Sequence, residues 1–229
     1  MQYKSLNITK IITGILLIFS LFLFSSCFEI VEDISLNNDG SGHVAITINL
    51  SQSKTKLHSI MLLDSINGYK IPSEKDIKKH FADLKEILTQ TSGISGVVTR
   101  LDFDNFIFNV SCDFDNTNAL NEVLINLNTK TEAAKIRQHK PFTYNKASKT
   151  FSRSYHYDIA KEFSKTNAKD RNIFENASYR TIYHFEKNIK SSSNKTAKIS
   201  GNKKAIMLLV NAQDLITNKN TIKNKITLN

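Results

Sequence analysis

FEIVEDISLNNDGSGHVAITINL, residues 28–50, alternates apolar with polar side chains, meets a run of turn formers, and then alternates again. Ile30, Ile34 and Leu36 share one parity, with Glu32 interrupting it, and Val44, Ile46, Ile48 and Leu50 share another. Period-two alternation places such a set on one face of a strand. The Asn, Asp and Gly residues of NNDGSG tolerate the positive φ that a tight reversal needs. The stretch therefore predicts a β-hairpin with one apolar face, and that face must be covered by other segments of the chain.

The next segments supply the cover. SKTKLHSIMLLDSIN, residues 53–67, predicts a short helix with Leu57, Ile60, Met61 and either Leu63 or Asp64 along its inner edge. Ser73 followed by Asp76 forms a capping-box pattern, with Asp in place of the preferred Glu. It opens EKDIKKHFADLKEILTQ, where Ile77, Phe81, Leu84 and Leu88 recur on one helical face. TSGISG stops this helix, and VVTRLDF, a DN turn and FIFNVSCDF predict a second hairpin. Phe106, Phe108, Val110, Cys112 and Phe114 share its apolar parity. DNTNALNEVLINLN then predicts a helix with Leu120, Val123, Leu124 and Leu127 on its face. Residues 27–129 thus read β-β-α-α-β-β-α, an α+β fold in which helices pack on one face of antiparallel hairpins.

From residue 130 the texture changes. TKTEAAKIRQHKP reads as a basic connector, and PFTYNKASKTFSRSYHYD as a third hairpin carrying Phe142, Tyr144, Phe151, Tyr155 and Tyr157. The polar residues 159–177 set no firm pattern. YRTIYHFEKNI alternates Tyr179, Thr181, Tyr183 and Phe185 against Arg180, Ile182 and His184, as a strand does. AIMLLV reads as a buried strand, and ITL near the end as an edge strand. Residues 130–229 form a strand-rich part that is either separate or continues the first sheet.

Charge divides the chain at the same place. Residues 27–129 carry 8 basic and 14 acidic side chains, residues 130–229 carry 21 and 7, and the whole chain has a formal charge of +10. A basic half gathers anions, so an acidic envelope protein, anionic lipid head groups or the protein's own acidic half are the expected partners. A scattered, solvated set of lysines would give the same count. No nucleic-acid motif is present, and no nucleic-acid partner is expected.

The hairpin is preceded by MQYKSLNITK, then the apolar block IITGILLIFSLFLF at residues 11–24, then FSSC. A short basic region, an apolar core of about 7 to 15 residues and small residues after it describe a secretory signal, whereas a spanning helix needs about 20 apolar residues. Residues 24–27 resemble the lipobox of bacterial lipoprotein precursors, with Phe24 standing where that family usually has Leu. The resemblance implies that residues 1–26 are a signal peptide, that Cys27 receives a diacylglycerol thioether, and that its freed amino group is acylated, for example by palmitate. It also implies attachment to the cell envelope through that lipid, and the Phe28-Glu29 pair after the cysteine gives an outer-membrane address as the default. The alternatives are an ordinary cysteine beside a cleavage site, or a retained and tilted anchor. The lipid cysteine, the hairpin with its NDGSG turn and the later YHF strand together resemble uncharacterised envelope lipoproteins with a domain of the mycobacterial LppM kind. No catalytic residues come with that resemblance.

Candidate chemistry is sparse. The only other cysteine, Cys112, has the parity of a buried strand residue and reads as a small hydrophobe, with no role as nucleophile. The six histidines form no HExxH or HxH pattern, and His156 with His184 would give a cross-strand pair at most, short of a zinc site. GISGVV lacks the spacing of a nucleophile elbow, and NNDGSG lacks the downstream Glu of a calcium loop. No metal, no cofactor and no catalytic residue is expected. Two functions stay open: a non-catalytic binding or structural domain, or a hydrolase-like envelope enzyme whose site converges from distant segments. For the first, the rings Phe142, Tyr144, Phe151, Tyr155, Tyr157, Tyr179, Tyr183 and Phe185, with Lys149, Arg153 and Arg180 nearby, form either a recognition surface or simply the inner face of a sheet.

Overall fold

The computed structural model describes residues 28–66, 68–154, 163–164, 174 and 176–229. The opening hairpin is present as β1 (Glu29–Leu36) and β2 (Gly42–Asn49), antiparallel, with Glu32 opposite Ile46 and Ile34 opposite Val44. Its turn closes through Asn37 N–H donating to the Ser41 carbonyl at 2.8 Å, and Gly40 takes the positive φ of 91°. Gly42 has no room for a side chain, since a Cβ there would strike the Ser35 carbonyl oxygen.

After β2 the chain forms α1 (Lys54–Ile60) and a small ribbon, β3 (Ser65–Ile66) with β4 (Tyr69–Lys70). The helix expected over residues 53–67 therefore ends at Ile60. Its first turn has no side-chain cap, and the ribbon closes instead through Ile71 N–H to the Asp64 carbonyl at 3.0 Å. Leu63, expected on an inner edge, is exposed. The helix α2 (Glu74–Gln90) has the capping box read from Ser73 and Asp76: Ser73 Oγ accepts from Asp76 N–H at 3.2 Å, and the Asp76 carboxylate accepts from Ser73 N–H at 3.0 Å.

The second hairpin is β5 (Ile94–Asp102) with β6 (Ile107–Phe114), followed by α3 (Thr117–Asn126), whose cap is the Asn116 side chain. The basic connector is itself a helix, α4 (Lys130–Gln138), with Thr129 capping Glu132 N–H and Ala133 as its buried residue. A helix so polar all round shows no apolar stripe to read. The third hairpin is β7 (Phe142–Asn145) with β8 (Thr150–Arg153); Tyr155, His156 and Tyr157 lie outside the described residues. Then come β9 (Ser178–Phe185), β10 (Ile189–Ser192), β11 (Lys198–Ile199), β12 (Ala205–Asn211), α5 (Ala212–Ile216) and β13 (Asn224–Leu228).

The strands build a seven-stranded sheet in the order β11-β12-β9-β1-β2-β6-β5 and a four-stranded sheet in the order β10-β13-β8-β7. Among the described residues every pairing is antiparallel except β1 with β9, which run parallel, Ile34 beside Tyr183. The fold is α+β, as the hairpins and helices indicate. Two strands differ from expectation. In β12, Ile206, Leu208 and Val210 are buried but Leu209 is exposed, so the strand buries one face only. The β13 strand lies between β10 and β8 instead of at an edge, because its Ile226 and Leu228 complete the inner face of the second sheet.

One face of the large sheet is covered, and by two different things. The four-stranded sheet lies over the β12-β9-β1 side, where Phe151 meets Tyr183 and Phe185 edge-on at ring separations of 5.1 and 5.8 Å. The helices α2 and α3 lie over the β2-β6-β5 side, with Phe81 on Phe108 at 6.0 Å and Leu88, Ala119 and Leu120 in the same core. The other face of the large sheet carries Asp33, Ser35, His43 and His184.

Candidate ligand-binding cavity

The two coverings meet where Asn121 of α3 bonds the backbone of Phe142 in β7, and the gap lies between the helices α2 and α3. Between them the sheet face of β1, β2 and β6 floors a cleft of about 360 Å³. Val44, Ile46, Ile48, Phe108 and Val110 form the floor, Phe81, Leu84 and Leu88 of α2 and Leu120, Val123 and Leu124 of α3, with Leu127 just past its end, form the walls, and Phe142 comes from β7. The periodicities that built these elements put the apolar residues there: period two along the strands, three and four along the helices. Val44, Ile46, Ile48 and Val110 are only half-buried because α2 and α3 do not close over them. The volume is within the range of about 300–1,000 Å³ typical of small-molecule sites.

Glu32, Arg153 and Tyr179 form the polar end of the cleft. Glu32 is the residue that broke the apolar parity of β1, and its side chain does point inward, among buried residues. It is fully occupied there. One carboxylate oxygen accepts from Arg153 Nε at 3.1 Å and from the Tyr183 hydroxyl at 2.6 Å; the other accepts from Arg153 Nη2 at 3.0 Å and from the Tyr179 hydroxyl at 2.7 Å. Arg153 Nη1 donates to the Ser154 carbonyl at 2.8 Å, and the guanidinium lies over the Phe142 ring at 4.4 Å. Asn121 of α3 pins Phe142 in turn, its amide bonding the Phe142 carbonyl at 2.8 Å and N–H at 3.0 Å.

Burial alone would push the Glu32 carboxyl up. The charge and hydrogen bonds of Arg153, with the two tyrosine hydroxyls, outweigh it and hold the carboxyl below its ordinary value. Burial acts the opposite way on Arg153, pressing its value down, and the facing carboxylate outweighs it so that the guanidinium stays charged. Burial and the Glu32 charge both push the hydroxyls of Tyr179 and Tyr183 up, keeping them protonated as donors. A carboxylate with four donors has no lone pair left to act as a general base. The cluster orders the cavity end and joins β1, β8 and β9.

Other sequence candidates fall in place around this. Cys112 lines the cleft and is buried, its thiol pushed up to about 11 first by burial and then by Asp113, so at neutral pH it is no thiolate. Phe142, Phe151, Tyr183 and Phe185 are buried, so those rings belong to the inner face of the sheets. Tyr144 reaches the Asn38 carbonyl at 3.4 Å. Two histidine–carboxylate pairs exist, His43 with Asp113 at 2.7 Å and His184 with Asp33 at 3.4 Å. Both lie on the uncovered face, away from the cleft. Among the described residues no three metal-ligating side chains converge. Cys27, the lipidation candidate, and His156 lie outside the described residues.

The charge asymmetry is partly spent within the protein. From β1, Glu29 pairs with Arg180 at 2.7 Å and Glu32 with Arg153 at 3.0 Å, each joining the acidic half to the basic one.

No family model and no curated protein matches the chain. Among solved structures, it is similar to the NMR structure of the folded domain of Mycobacterium tuberculosis LppM, with a TM-score of 0.41 and 10% identity over 88% of this chain and 89% of that one. No helix of the described residues is long and apolar enough to cross a membrane.

Proposed function

We propose that this protein is a lipid-anchored domain of the bacterial cell envelope that holds the acyl chain of a lipid, without catalysis. The observation that carries the reading is the cleft: about 360 Å³, walled by aliphatic and aromatic side chains, with one polar end whose charges already satisfy each other. An apolar cavity holds water poorly. A sugar or peptide placed there would lose hydrogen bonds to water without regaining them, at roughly 1–3 kcal/mol for each stranded group. An alkyl chain loses nothing and gains about 0.8 kcal/mol per methylene buried. At the roughly 30 Å³ that a water-sized group occupies in a liquid, the cleft takes on the order of a dozen methylenes.

Attachment comes from the other end of the chain. Diacylation of Cys27 and acylation of its amino group would supply the two or more chains that stable anchoring needs, and an outer-membrane address is the default for the residues after it. β1 begins at Glu29, so the domain is held close to the head groups from which a lipid would come. Acidic proteins and anionic head groups are further partners of the basic half.

Two experiments test the two parts. Labelling cells with a radioactive fatty acid should mark the wild type and not Cys27→Ser, which should move to the soluble envelope fraction; equal membrane retention of both would refute the lipid anchor. Native mass spectrometry of the purified protein should find a non-covalent acyl-chain adduct that Ile46→Phe, which fills the cleft, no longer carries. An adduct retained equally by Ile46→Phe would refute the cleft as its site.

A further inference from the structure

The described residues expose few large apolar side chains, and half of these, Leu62, Leu63, Ile66 and Tyr69, fall within residues 62–69, with Leu62 86% and Tyr69 51% exposed. They sit on the ribbon of β3 and β4 and the bend before it. Scattered exposed leucines need no explanation, but a cluster on one projecting ribbon marks a contact surface.

Its place in the fold says what it contacts. Glu29, the first residue of β1, is paired with Asn49, the last of β2, and the segment that carries the ribbon leaves from Leu50 onward. The ribbon therefore springs from the same end of the large sheet at which the chain arrives from residues 1–27. The start of β1 is fixed there, with the Phe28 carbonyl accepting from Ser178 N–H at 3.0 Å and the Phe28 ring against Phe174 at 5.8 Å. At its base α1 is tied to the neighbouring β5–β6 turn: Lys54 Nζ donates to Asn105 Oδ1 at 3.2 Å, and His58 lies edge-on to Phe106 at 4.8 Å. The opposite end of the large sheet carries the turn at Asn37–Ser41, and the β7–β8 turn of the second sheet lies beside it, Tyr144 reaching the Asn38 carbonyl.

The side chains match a bilayer interface. Leucine and isoleucine at the tip with a tyrosine beside them is the composition found where protein meets head groups. Lys54, Lys56, Lys70 and Lys75 flank the tip against the acids Asp64, Glu74 and Asp76, and a lysine can lay its stem along apolar surface while its ammonium stays among phosphates. We infer that residues 62–69 are a second membrane contact, the exposed leucines, Ile66 and Tyr69 inserting into the surface of the bilayer that holds the chain's N-terminal end. This rests on the proposed attachment to a membrane, and not on the cleft. Tip and anchor together fix the orientation of the domain on the bilayer, which one flexible attachment would leave free.

The chain contains no Trp, so one introduced indole reports one place. Full-length Leu62→Trp and Ala147→Trp, the latter at the opposite end, are reconstituted into phosphatidylethanolamine and phosphatidylglycerol vesicles with brominated acyl chains, and fluorescence is read on protein that floats with the vesicles. The expected result is a blue-shifted emission strongly quenched by the brominated lipid for Leu62→Trp, and the emission of a water-exposed indole, unquenched, for Ala147→Trp. An unquenched, water-like Leu62→Trp overturns the proposal. So does a blue shift without lipid quenching, which would place the tip against a second copy or another protein. Retention by residues 11–24 instead of a lipidated Cys27 would refute the lipid anchor through the Cys27→Ser experiment while leaving this quenching contrast standing, so the two failures are told apart.

Discussion

Ile226 and Ile46 are the same side chain beneath two different roofs. Ile226 belongs to the four-stranded sheet that packs on β9 and β12, where it is fully buried; Ile46 faces inward from β2 beneath the helices and is half-buried. A sheet laid on a sheet interdigitates two pleated surfaces along their length. Two helices that touch the sheet along separate lines leave a furrow between them unless large side chains fill it. Here Leu84, Val123, Leu124 and Val110 leave it open. The difference separates a part of the molecule that is packed throughout from a part that keeps unfilled apolar space.

The largest expected effect breaks the seam between the two. Arg153→Met leaves Glu32 buried and unpaired and should cost about 3–5 kcal/mol in urea denaturation, whereas Glu32→Met/Arg153→Met together should recover most of that loss. A double variant as unstable as the single one would mean that the pair does more than neutralise itself. The same carboxyl makes stability depend on acid. Its folded-state value is lowered from 4.5, so its contribution is whole above that pH and is lost as the pH falls through the lowered value. Urea midpoints of the wild type should fall over that acid range, and Glu32→Gln should remove this part of the slope.

Matched truncations sharpen the contrast itself. Ile226→Ala should cost about 2–5 kcal/mol and Ile46→Ala about 1 kcal/mol or less, because Ile46 is only half-buried and borders open space. Equal losses would mean that the cleft is as tightly packed as the sheet interface. Enlargement should run the other way: Ile206→Phe, under the second sheet, should destabilise by about 1–3 kcal/mol, and Ile46→Phe by less, since the added ring has space to enter. The smallest effect belongs to the roof alone: Ser73→Ala removes the cap of α2 and should cost about 1 kcal/mol by the same assay.

The elements that frame the cleft were legible in the sequence because their periods are local. Leu120, Val123, Leu124 and Leu127 read as one helical face, and all four wall the cavity; Val44, Ile46 and Ile48 read as one strand face, and all floor it. The pairing of β1 with β9 was not legible, since residues 29 and 178 are brought together by topology that no local pattern records. Nor was the cavity, which exists because α2 and α3 do not close over β2 and β6. The polar cluster left a signal that could have been followed. Glu32 breaks the apolar parity of one strand, and Arg153 shares a parity with Phe151 in another. A charge on an inward face needs a partner of opposite sign, and these two are that pair. The α4 helix stayed hidden because its only buried residue is Ala133.

The proposed function requires the cleft to accept an alkyl chain, and quenching of an indole in its wall reports that. In full-length protein reconstituted in vesicles, Leu124→Trp places the chain's sole indole in the cleft wall, and Leu209→Trp places it on the uncovered face as a control. Titration with a spin-labelled fatty acid should quench Leu124→Trp along a saturable curve that the added substitution Ile46→Phe abolishes, while Leu209→Trp shows only a weak linear decline. Linear quenching of both indoles, unchanged by Ile46→Phe, would contradict it.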